Sequence, residues 1–155
     1  MPPGEDRDFG TEALVPALLR SARATYARAI RRDLDDAGCG DVPRNGAYVL
    51  GAIEHFGAPL SEIIRWMGVS KQAAGQVVDA LVVRGYLERS ADPEDRRRMN
   101  LTLTDRGHLA AAAARGAVEK VDRRLSARVG DEYVAHTRQT LAALIEIGLE
   151  ADPDS

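Results

Sequence analysis

The chain has a single cysteine, Cys39, in 155 residues. That excludes an internal disulfide and a cysteine-based zinc site, and it points to a reducing compartment, the cytoplasm. Aromatic residues make up only 5% of the chain, and no uninterrupted apolar run comes near membrane-spanning length. The opening Met1-Pro2-Pro3-Gly4-Glu5-Asp6-Arg7-Asp8 lacks both the basic region and the apolar stretch of a signal peptide. A soluble protein with no membrane partner is therefore expected. Positive charge is not in excess either. The formal net charge of -3 argues against a protein that coats nucleic acid by bulk charge, although a local basic patch on an acidic body still grips it. Signals for catalysis are missing as well. His55, His108 and His136 show no metal-ligand spacing, there is no Gly-rich phosphate loop, and no nucleophile stands beside a recognisable base. Neither an enzyme nor a bound cofactor or metal is expected.

What the chain does have is a change of hydrophobic period between Ser61 and Thr104. Ile63, Ile64 and Met67 share one helical face, and Gly68 then ends the helix, because glycine tolerates the left-handed conformation of a tight turn. Ser70 is placed to cap a second helix whose buried stripe is Ala74, Val77, Val78 and Leu81, leaving Lys71, Gln72, Gly75 and Gln76 outward. Two short helices joined by a glycine turn make a helix-turn-helix. Tyr86-Leu87-Glu88-Arg89 and Met99-Asn100-Leu101-Thr102-Leu103 follow as strand-forming runs that pair in a hairpin. The loop between them is Ser90-Ala91-Asp92-Pro93-Glu94-Asp95-Arg96-Arg97-Arg98, whose Asp-Pro favours a turn and whose end carries three arginines. A run of arginines is usually a solvated face, but after such a helix it reads as a wing whose guanidinium groups reach phosphate or a minor groove.

Long helices flank this reader. From Thr11 to Ala37, Leu14, Leu18, Ala22, Tyr26, Ile30 and Leu34 recur every four residues, and Gly38-Cys39-Gly40 ends the helix. Asp41-Val42-Pro43 is expected to start the next one. Thr104 caps a helix running through an alanine tract to about Val129, Gly130-Asp131 breaks it, and a last helix carries Tyr133, Leu141, Leu144 and Ile145. The outer helices are more apolar than one small reader can cover, which suggests a homodimer. The alanine tract serves either a close helix approach in that dimer or ordinary packing within one chain. The fold class is thus mainly α with a small β-hairpin: one domain, 1–155, with dimerisation helices at 11–37 and 105–150 around a winged helix-turn-helix at 43–104.

The continuous pattern Leu60-Ser61-Glu62-Ile63, Gly68-Val69-Ser70, Val77-Val78-Asp79, Leu81, Arg84-Gly85-Tyr86-Leu87, Arg89, Asp92-Pro93-Glu94-Asp95-Arg96-Arg97 and Leu101-Thr102-Leu103-Thr104-Asp105-Arg106-Gly107 resembles the MarR family of bacterial transcriptional regulators. The resemblance spans roughly residues 14–149. It implies a homodimer that sets two recognition helices into successive major grooves of a pseudo-palindrome. It also implies that Arg97 enters the minor groove and is steadied by Asp95. Ser70, Lys71, Gln72 and Gln76 are the expected helix contacts, glutamine pairing with adenine and lysine with guanine or phosphate. Ala73 stands where the family often has a hydroxyl residue, so that contact is missing here. The likeness further implies a small aromatic or phenolic ligand in a crevice between the dimer helices and the reader, where Tyr26, His55 and Trp66 are the candidate residues. Cys39 does not match the placement of the family's redox-sensing cysteine and reads as a small buried residue. The expected function is a homodimeric repressor of double-stranded DNA relieved by such a ligand. The alternative is a winged-helix protein-interaction module without specific DNA binding, which has no need of a wing arginine cluster.

Overall fold

A proline in the first turn of a helix costs little, since its missing N–H would be unpaired there anyway, and Pro16 takes that place in α1 (Val15–Asp36). The computed structural model describes residues 13–57, 68, 70–91 and 99–151. Within them α1 is followed by α2 (Gly46–Phe56), α3 (Lys71–Val83), β1 (Leu87–Ala91), β2 (Met99–Leu103), α4 (Asp105–Val129) and α5 (Asp131–Ala151). The mainly helical fold with one small hairpin is the expected one. The strands pair antiparallel, with Leu87 opposite Leu103 and Ala91 opposite Met99.

The helix ends follow their residues. Gly38 adopts φ +72, and the Cys39 amide turns back to the Leu34 carbonyl at 2.8 Å, which folds Cys39 under the end of α1, where it is buried. α2 begins at Gly46 and not at the expected Asp41-Val42-Pro43. Asn45 takes the left-handed φ of 68 just before it, and the Gly46 amide donates to the Pro43 carbonyl, so the proline sits in the preceding turn. Tyr86 was expected to open the first strand. Instead its amide bonds the Leu81 carbonyl at 2.9 Å, closing the end of α3, and the strand starts one residue later.

α4 is the central post, with α1 and α2 packed along it. Ala110, Ala111, Ala114 and Ala117 are all buried against Ile30, Leu34, Val49 and Leu50. The alanine tract therefore serves packing within one chain: its short side chains leave room for two helices to approach the same stretch of α4. The reader joins this core through Val78 and Leu81 of α3, Tyr86 and Leu87. The apolar stripe of α1 is divided. Ile30 and Leu34 are buried, but Leu14 is 78% exposed and Val15 60%. α5 is similar at the opposite end of the chain, with Val134 buried while Tyr133, Leu144 and Ile147 are exposed.

Candidate nucleic-acid interface

Ser70 has extended backbone and its Oγ accepts a hydrogen bond from the Ala73 amide at 3.2 Å, so the expected N-cap of α3 is present. This cap fixes where the helix starts and hence which residues of its first turn face out. Lys71, Gln72 and Gln76 are exposed, Gly75 is half-buried, and Ala74, Val78 and Leu81 are buried on the opposite side. The expected contacts of the helix thus share one outward face and carry lysine and amide groups at its N-terminal end. That end also presents amides and the positive pole of the helix dipole, which favours a phosphate nearby. Gly68 adopts φ +58, the left-handed conformation the turn before α3 requires.

An acidic residue on this face would repel phosphate, and Asp79 is one. It is hydrogen-bonded to Arg89 Nη2 of β1, an ion pair that neutralises it and ties the hairpin to the middle of α3. The sequence contains both partners, but their separation along the chain gives no sign that they meet. The hairpin is also fixed at its base. Thr104 Oγ1 donates to the Gly85 carbonyl at 2.6 Å while accepting from the Gly107 amide at 3.0 Å, so one hydroxyl joins the turn after α3 to the start of α4.

A second anchor, not anticipated from the residues, centres on Asp41. Its carboxylate accepts from the Tyr86 hydroxyl and, at 2.8 Å, from Arg106 Nη2; its backbone carbonyl accepts from Arg84 Nη1. Arg106 also donates to the Arg84 carbonyl at 2.8 Å, and its guanidinium lies 4.4 Å from the centre of the Tyr86 ring. The hydrogen bond from Tyr86, helped by Arg106, holds the Asp41 carboxyl below its usual range. Burial and the same hydrogen bond push the Tyr86 hydroxyl up. The loop between α1 and α2 is thereby bonded to the end of α3 and the first turn of α4, which fixes how α3 leaves the core.

Of the candidate ligand residues, Tyr26 is bonded within the chain. The Tyr26 hydroxyl donates to Asp122 Oδ1 of α4 at 2.6 Å, and Asp122 also pairs with Arg138 of α5 at 2.7 Å. Burial and Asp122 push the Tyr26 hydroxyl up to about 12. His55 lies exposed near the end of α2. Trp66 and the wing residues Asp95, Arg96, Arg97 and Arg98 lie outside the described residues. Among the described residues no group of His, Cys, Asp and Glu is arranged to hold a metal ion, and no helix is long and apolar enough to cross a membrane.

The geometry has counterparts. The model of the MarR family matches residues 41–98, the stretch that contains the loop after α1, α2, α3 and the first strand. A probable transcriptional regulator from Pseudomonas aeruginosa has a similar fold, with 25% identity and a TM-score of 0.64 over 85% of this chain and 97% of its own. CouR from Rhodococcus jostii RHA1, solved with p-coumaroyl-CoA, is 24% identical with a TM-score of 0.68 over 84% of this chain and 91% of its own. The transcriptional repressor CouR bound to a 23-mer DNA duplex is 23% identical with a TM-score of 0.67, covering 90% of this chain and 99% of its own. Among curated protein sequences nothing matches. The matched stretch and the arrangement of helices around it give one conclusion: residues 41–98 fit the model of the MarR family, and the chain shares the fold of solved transcriptional regulators.

Proposed function

We propose that the protein is a sequence-specific regulator of transcription that binds double-stranded DNA as a homodimer, represses from a pseudo-palindromic operator and is released by a small-molecule ligand. The observation that carries this reading is α3: a capped helix, buried along Ala74, Val78 and Leu81, that turns Lys71, Gln72 and Gln76 to solvent, with the one acid of that helix, Asp79, paired to Arg89. Glutamine and lysine on one exposed helix face are the chemistry of base-edge and phosphate contact. The repressor CouR, similar in fold, is solved on a DNA duplex, and a CouR structure with p-coumaroyl-CoA supports a small organic ligand as the signal.

A second copy of the chain is the partner that the exposed apolar residues call for. Leu14, Val15 and Leu18 at the start of α1, with Leu125, Val129, Tyr133 and Ile147 of α4 and α5, are exposed in a single chain. Joining them with their equivalents would remove both patches from water and set the two copies of α3 at a fixed separation.

The test is a salt titration of operator binding with two variants. Log affinity falls with log salt by about 0.9 per phosphate neutralised. Arg97→Ala is expected to flatten that slope by about one contact and weaken binding by about 1–3 kcal/mol on any duplex, whereas Gln72→Ala relaxes base preference and leaves the slope unchanged. Unchanged affinity and unchanged selectivity in both variants would contradict the assignment.

A further inference from the structure

Lys71, Gly75 and Asp79 follow one another at four-residue steps along one flank of α3, with the exposed Gln72 and Gln76 on one side of the row and the buried Ala74 and Val78 on the other. The middle member of this row has no side chain. A Cβ built at Gly75 meets nothing within 4 Å and the backbone there is helical, so no neighbour among the described residues requires glycine. Glycine nevertheless weakens a helix interior relative to alanine, because it gives up more backbone freedom on folding. Packing within the chain does not offset that loss. Gly51, Gly116 and Gly148 also face open space inside helices, but none of them is on α3.

Both ends of the row carry a cation. Lys71 is exposed in the first turn of α3, where the positive pole of the helix adds to its charge. At the other end Asp79 is paired with Arg89, and their side chains are 62% and 42% exposed, so the pair sits at the surface. Arg89 comes there because it shares a face of β1 with Leu87: Leu87 is buried in the core, and Arg89, two residues on, reaches α3. The bond to Asp79 is made by Nη2 of a planar group that donates along more than one edge. Gly75 is therefore a notch in the flank of α3, with an ammonium one helical turn before it and a guanidinium one turn after it. Anionic oxygens of a phosphate chain suit both groups.

We propose that Gly75 is the point where the sugar-phosphate backbone of one DNA strand comes closest to α3, with Lys71 and Arg89 donating to phosphates on either side of the notch and Asp79 as the positioning residue of Arg89. The inference rests on the reading of the protein as a DNA-binding regulator, and it adds a position of close approach and a phosphate contact that belongs neither to α3 nor to the arginine run after Asp95. A strand seated in the notch offsets, as affinity, what glycine costs the helix. Asp79 helps Arg89 in a specific way. A side chain already held by an ion pair loses less freedom when the duplex arrives, so less of the new contact is spent on ordering it.

The test measures binding of the full chain to two fluorescent duplexes, one recovered by enrichment of genomic DNA on the protein and one of scrambled sequence. Gly75→Ala should melt at the same temperature or higher, because alanine is the better helix former and meets no neighbour, yet bind both duplexes about tenfold or more weakly. Gly116→Ala, equally open but away from α3, should bind like the unaltered protein. The second arm reads salt dependence. Asp79→Asn/Arg89→Gln removes both charges of the pair and should lower the slope of log affinity against log salt by about 0.9, whereas Asp79→Asn alone keeps the guanidinium and should keep the slope. An ion pair that only braces the hairpin would leave the slope unchanged in both. Equal binding by Gly75→Ala, an equal loss in Gly116→Ala, or an unaltered slope in the double variant would each overturn the proposal. Any of these, with the unaltered protein still preferring the recovered duplex, sinks this inference alone. Equal binding of the two duplexes by the unaltered protein sinks the regulator reading, and binding of neither sinks both.

Discussion

Replacing Gly107 by alanine tests how the reader is joined to the core, because it adds one methyl group at the place where α4 meets the turn after α3. A Cβ built there lies 2.1 Å from the Tyr86 carbonyl oxygen and 3.0 Å from Leu103 Cδ2. The oxygen belongs to backbone and accepts the Thr104 amide at 3.2 Å, so it has no free direction in which to retreat. Relief requires α4 to move away, which strains the bond from the Gly107 amide to Thr104 Oγ1. Overpacking of this kind costs about 1–3 kcal/mol, and losing an N-cap costs about 1 more, so the variant should be less stable by roughly 2–4 kcal/mol. Gly116 in the same helix is the control. A methyl there meets nothing within 4 Å, and Ala is a better helix former than Gly by roughly 0.5–1 kcal/mol, so Gly116→Ala should be neutral or stabilising. Urea unfolding followed by circular dichroism at one protomer concentration separates the two. Equal effects of the two substitutions, or a Gly107→Ala loss below about 0.5 kcal/mol, would refute the packing described between α4 and Tyr86.

Three further outcomes follow from the same contacts. Ser70→Ala removes the acceptor of the Ala73 amide and should cost about 1 kcal/mol in urea unfolding, whereas Ser70→Asp should retain most of the stability; a neutral alanine would mean the cap contributes nothing. The raised Tyr26 hydroxyl keeps its proton in the folded chain after the unfolded chain has lost it, so stability should fall as pH rises from about 10 towards about 12. Tyr26→Phe should remove that part of the alkaline slope, and a slope identical in both proteins would argue against the bond to Asp122. The Asp41 carboxyl is held low in the folded chain, so its contribution is present above the ordinary aspartate range and is lost as pH falls through it. Asp41→Asn should therefore be less sensitive to acid than the natural chain, and an unchanged acid limb in a denaturation series would count against the anchor.

The parts of this fold that the sequence reveals are those set by neighbouring residues. The Ser70 and Thr104 caps, the outward face of α3 and the existence of the hairpin follow from spacing alone, since each depends on residues within a turn or one hairpin of each other, whereas the first strand runs Leu87–Ala91 and not the expected Tyr86–Arg89. The start of α2 was misplaced because Pro43 suits a first helical turn equally well as the turn before a helix, and only the left-handed Asn45 decides between them. The role of the alanines was open because a stripe of small residues looks alike whether its neighbour is the same chain or another. The two contacts that fix the reader, Asp79 with Arg89 and Asp41 with Tyr86 and Arg106, were invisible for a different reason. They join charged residues far apart in sequence, and charged residues at the surface carry no periodic signal.

The central claim is that α3 and its wing read DNA as a matched pair from two copies of the chain. Its most direct test is to enrich fragments of the encoding genome on the purified full-length protein and sequence those retained. The account predicts a small set of fragments sharing a pseudo-palindrome whose half-sites lie about one helical turn apart. Retention of no fragment at modest ionic strength, or of all fragments alike, would contradict it.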